Sequence, residues 1–73
     1  MGMPKGLARA TAYYNRIAAW ADWQKLAAEM TAAGFADLVA ECQPPKEAGW
    51  RKIDKASARL KAAGAVRLKA EQA

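Results

Sequence analysis

The chain has 73 residues, with 12 lysines and arginines against 7 aspartates and glutamates, one cysteine, no histidine and a net charge of +5. That length allows one domain, which buries only about 60% of its unfolded surface. A lone Cys42 excludes an internal disulfide framework and points to a reducing, cytoplasmic setting, while the lack of histidine removes the usual general base and the commonest metal ligand.

Alanine dominates the apolar content, and three tryptophans, two tyrosines and one phenylalanine supply bulk. Alanine is the best helix former, so the expected fold is all-α: a small three-helix domain. The longest charge-free run, Met30 to Ala36, is far short of the ~20 residues of a membrane span. No apolar stretch follows the basic start "MGMPKGLARA", so no secretory signal is expected.

The first helix is predicted over about 4–33, with Pro4 near its start, where the missing N–H costs nothing. At 100° per residue, Tyr13, Ile17, Trp20, Trp23, Gln24, Ala27, Met30 and Thr31 fall in one broad arc. Asn15, Asp22, Lys25 and Glu29 fall opposite. So wide an apolar face predicts a helix covered on two sides. Arg9 and Arg16 lie inside the apolar arc, with stems able to rest on apolar surface or to face a partner.

Gly34 is suited to the left-handed cap that ends this helix. In "FADLVAEC", Phe35, Leu38, Val39 and Cys42 recur at i, i+3, i+4 and i+7, predicting a second amphipathic helix over 35–42. Pro44 and Pro45 stop it. Cys42 shares the apolar face and reads as a buried structural thiol. Asp37 and Glu41 read as an ordinary pair on a solvated face.

The third helix is predicted over 45–63. Trp50, Ile53, Ser57 and Leu60 share one face, and Arg51, Lys52, Lys55 and Arg59 the opposite one. Beyond Gly64 the helical phase fails, because Val66 would land among the basic residues. Val66, Arg67, Leu68 and Lys69 alternate instead, so a short extended, wing-like tail is expected over 65–73. The expected core is Ile17, Trp20, Phe35, Leu38, Trp50, Ile53 and Leu60.

Residues 1–45 carry four basic and four acidic residues. Residues 46–73 carry eight basic and three acidic ones, so the entire net charge belongs to the last 28 residues. One-sided charge of this kind is the footprint of a surface that meets phosphates, where each neutralised phosphate releases condensed counterions. It is equally the footprint of a helix that has turned its polar side to water.

The run "KIDKASARLKAAGAVRL" resembles the end of a winged helix-turn-helix domain. Leu60 matches the buried leucine of that family's recognition helix, Gly64 the turn glycine and Val66 the start of the first wing strand, with "FADLVAEC" as the scaffold helix. The resemblance spans residues 35–69. It implies a DNA-binding surface of Arg51, Lys52, Lys55 and Arg59 in the major groove, with Arg67 and Lys69 near the backbone.

No phosphate-cradling glycine loop, metal-ligand cluster or acid–base pair is recognisable, so no enzyme, cofactor or metal is expected. Two functions are carried forward. The first is a small non-catalytic DNA-binding regulatory or accessory protein that uses the third helix. The second is a protein-binding helical module, such as an inhibitor, adaptor or small subunit of a larger complex. It would dock through Tyr14, Arg16 and Trp23, residue types enriched at protein-binding hot spots. No membrane partner is expected, and homodimerisation stays open. Such chains are common among phage and mobile-element accessory proteins, an association only.

Overall fold

The computed structural model describes residues 5–72. It contains three α-helices in chain order: α1 (Lys5–Ala32), α2 (Ala36–Glu41) and α3 (Trp50–Gln72). The all-α class stands. The predicted start at Pro4 lies outside the described residues.

α1 stops where glycine permits it. Gly34 has φ +95°, a left-handed conformation that costs a residue with a Cβ about 1–2 kcal/mol. The Gly34 amide donates to the Thr31 carbonyl (3.1 Å) and the Phe35 amide reaches back to the Met30 carbonyl (2.9 Å). This pair of bonds is a Schellman motif, which satisfies two carbonyls the helix end would otherwise leave without partners. It also turns Phe35 inward, so the chain enters α2 with Phe35, Leu38 and Val39 buried.

Pro44 and Pro45 then break the helical path, and the Ala48 amide closes a turn onto the Pro45 carbonyl (3.0 Å). The third helix begins at Trp50 rather than 45, because the prolines and that turn occupy the intervening residues. α3 packs chiefly along α1. Trp50 lies near Ala19 and Gly64 near Met30, so the two helices run parallel. α2 and the proline segment cover the third side.

The core is formed by Ala19, Trp23, Phe35, Leu38, Val39, Cys42, Ala48, Ile53 and Leu60. Ile53 and Leu60 are wholly buried, each contributing about 1.5–3 kcal/mol of apolar transfer. Cys42 is buried, as expected. Three core assignments change. Trp20 and Trp50 sit at the rim, half-buried, and Ile17 is 49% exposed, because the arc facing α3 is centred on Ala19, Trp23 and Met30 rather than on Ile17.

The expected extended tail is instead the last two turns of α3, which runs unbroken to Gln72. Gly64 lies inside the helix and is buried. Ala65, Leu68, Lys69, Ala70, Glu71 and Gln72 favour helix, and one glycine costs only about 1 kcal/mol. The helix does put Val66 in water, at 69% exposure. A single exposed valine is cheaper than the hydrogen bonds that breaking the helix would forfeit. Among the described residues there is no strand, so the wing has no counterpart.

The body does not use all of α1. From Gly6 to Asn15 every residue except Ala10 is exposed, and that half of the helix stands clear of α2 and α3. The molecule measures 53 × 21 × 16 Å with a radius of gyration of 15.1 Å, against about 11 Å for a compact chain of this length. Over its second half α1 packs against both α3 and α2. Among the described residues no helix is long and apolar enough to cross a membrane.

Candidate nucleic-acid interface

α3 buries Ile53, Leu60 and Gly64. At 100° per residue the opposite side must then carry Arg51, Lys55, Arg59 and Lys52, spread over an arc of roughly 100° and a rise of about 12 Å. All four are exposed. Lys69 is also exposed and in phase with Arg51, five turns further along.

The acids of this region point elsewhere. Asp54 lies in the cleft between α1 and α3 with Asp22, Lys25, Glu29 and Lys61. The Ser57 hydroxyl is buried beside this cleft without a hydrogen-bond partner. The outer face keeps its cations unopposed. Among the described residues none of Arg51, Lys52, Lys55, Arg59 and Lys69 belongs to a salt bridge.

Two local features shape the basic face. The Arg51 guanidinium lies over the Trp50 ring, 5.1 Å from its centroid, which holds the arginine at the start of the helix by cation–π attraction. Further along, Lys52, Lys55, Ala56 and Arg59 flank a shallow groove whose other wall is Cys42, Gln43, Pro44 and Pro45. The groove therefore has a basic rim on the helix side and an uncharged, proline-stiffened rim on the other.

Arg67 is a separate case. Expected beside a nucleic-acid backbone, it instead makes a two-pronged bond to Asp37, with Nη1 to Oδ1 at 2.8 Å and Nη2 to Oδ2 at 2.7 Å. Its guanidinium also lies over the Phe35 ring at 5.6 Å. The hydrogen bonds from Arg67 hold the Asp37 carboxyl down at about 2, below its usual 3.8. Asp37 in turn raises the arginine further above its ordinary value. The pair fastens the end of α3 to α2. Residues 30 positions apart on different helices offer no periodic signal, which is why a reading within α2 found only Glu41 as a neighbour for Asp37.

The residues expected at a protein interface are dispersed. Tyr14 is 69% exposed, whereas Trp23 is 3% exposed and belongs to the core, so it is not available to a partner. Arg16 bends onto the loop before α3. Its Nε donates to the Ala48 carbonyl (3.0 Å) and its Nη2 to the Lys46 carbonyl (2.8 Å). This arginine ties a loop to α1, a role its position in the apolar arc had left open. Comparison of the chain with protein-family models, with curated protein sequences and with solved structures finds no match in any of the three.

Proposed function

We propose that the chain binds the phosphate backbone of double-stranded DNA through the outer face of α3, without catalysing a reaction. The observation that carries this reading is the set Arg51, Lys52, Lys55 and Arg59: exposed, on one face, and free of any acidic neighbour on that face. Their rise of about 12 Å spans three to four phosphates of one strand at about 3.4 Å each. An exposed helix face suits the wide major groove of B-form DNA better than the narrow one of duplex RNA. Lys69 extends the same face, while Arg67 contributes to the fold rather than to the contact. The role is regulatory or accessory, with the ridge of α3 in place of a winged recognition unit.

The test is binding of a labelled DNA duplex, followed by anisotropy over a salt series. Four phosphate contacts give a log–log slope near −3.6, at about −0.9 per contact. Lys55→Glu with Arg59→Glu should abolish binding and leave the helical circular dichroism intact. Undiminished affinity in that double variant would remove the proposal.

A second reading, a protein-binding module, is favoured by one specific observation. Leu7, Tyr13, Tyr14 and Ile17 are all about half exposed or more on the part of α1 that the body leaves uncovered.

A further inference from the structure

The uncovered side of α1 has an order that the core does not explain. Leu7, Ala10, Tyr14, Ile17 and Ala21 follow one another at alternating spacings of three and four, and the next position, Gln24, is the first polar one. That is the a/d seam of a heptad repeat. It lies roughly 180° around the helix from Ala19, Trp23 and Met30, so packing against α3 leaves it open. No seam position is charged. Arg9 and Arg16 fall at c positions, away from the seam, and the flanking positions from Gly6 to Trp20 carry no charge.

We infer that this seam is the contact between two copies of the chain, with the projecting halves of α1 paired antiparallel about a two-fold axis near Ala12. In a two-fold contact, if residue i meets j, then j meets i. An antiparallel pair sets each a position against a d position, so Leu7 meets the second copy's Ile17 and Tyr14 meets its Ala10. The sequence of sizes is therefore its own complement: each tyrosine enters the space above an alanine, and the larger aliphatics meet at both ends. Tyr13, already edge-on to Tyr14 at 5.9 Å between ring centroids, flanks the seam.

Charge chooses the orientation. All of the net +5 lies in residues 46–73. A parallel pair brings two such bodies side by side, whereas an antiparallel pair sends them to opposite ends. An uncharged seam gives a foreign charged partner no purchase, but it costs a second copy no like-charge repulsion. Area sets the strength. Tyr13, Tyr14, Leu7 and Ile17 are 62, 69, 55 and 49% exposed, on the order of 400–500 Å² per chain. Two copies thus cover at most about 800–1,000 Å², the size of a weak, reversible interface, so we expect a dimer that dissociates in the micromolar range. The dimer does not depend on DNA binding.

The test is the mass of the full chain by sedimentation equilibrium from about 1 µM to several hundred. The expected result is a doubling of mass with a midpoint in the micromolar range. Tyr14→Glu with Ile17→Glu should keep the chain monomeric throughout with unchanged circular dichroism, since both side chains face water in the single chain. A chain that stays monomeric at several hundred micromolar, or a double variant that dimerises as the parent does, overturns the inference. Orientation is read by oxidising an equal mixture of Leu7→Cys and Ile17→Cys copies, each also carrying Cys42→Ser. An antiparallel pair yields the mixed disulfide, because like positions then lie about 15 Å apart along the axis. Disulfides between like copies overturn the antiparallel arrangement.

Discussion

Two glycines that look alike in the sequence should respond to alanine with opposite signs. Gly34 has φ +95° and nothing within 4 Å of the place a Cβ would occupy. Its cost is thus purely conformational, about 1–2 kcal/mol for holding an L-residue in the left-handed region. Gly64 is helical and buried, and a Cβ there meets the terminal methyl of Met30, with the sulfur at 3.5 Å. That methyl ends a flexible side chain that is only half-buried, so it can swing aside. Replacing a mid-helix glycine with alanine gains up to about 1 kcal/mol, and displacement of Met30 takes back part of it. Gly34→Ala should therefore lower the melting temperature by several degrees, at about 4–8 °C per kcal/mol for a domain of this size. Gly64→Ala should hold it or raise it by a few degrees. The assay is thermal unfolding followed at 222 nm, with helical signal compared before melting. A Gly64→Ala variant that loses helix, or melts as low as Gly34→Ala, would refute a continuous α3 and restore a turn at that position.

Two further outcomes follow from the side chains that tie the elements together. Arg16→Ala removes both bonds to the loop carbonyls and should cost about 1–2 kcal/mol, read as a lower denaturant midpoint at constant m. Arg16→Lys should recover only part of it, because an ammonium lacks the fork that spans two carbonyls; a loss below about 0.3 kcal/mol for Arg16→Ala would show the clamp to be idle. Asp37→Asn tests the bridge to Arg67 through pH. Its folded pKa of about 2 lies below the usual 3.8, so the stabilisation is complete above about pH 4 and is lost as pH falls through 2. The difference in melting temperature between parent and variant should narrow over that window, and a difference independent of pH would refute the assignment.

How much of this was legible depends on the range of the interaction concerned. The three helices, the glycine cap, the proline break, the buried cysteine and the cations of α3 all follow from periodicity and backbone chemistry acting within a few residues. Segregation around a helix placed Lys55 and Arg59 opposite Leu60, and packing had no reason to disturb it. The same local logic failed at Gly64, since whether a glycine ends a helix or passes through it depends on what lies beside it, here Met30 of another helix. It failed at Ile17 too, because α1 has two apolar arcs and nothing in its own periodicity says which one α3 will cover.

What the chain's order of residues settles is the identity and polarity of each helix, because those are written at spacings of three and four. Which arc of α1 is buried, which arginines become ties rather than free charge, and how far α1 outruns the body were decided only when the helices packed. Arg16 and Arg67 each meet partners at least 30 residues away. Contacts at that separation depend on how rigid helices align, and no local pattern encodes them.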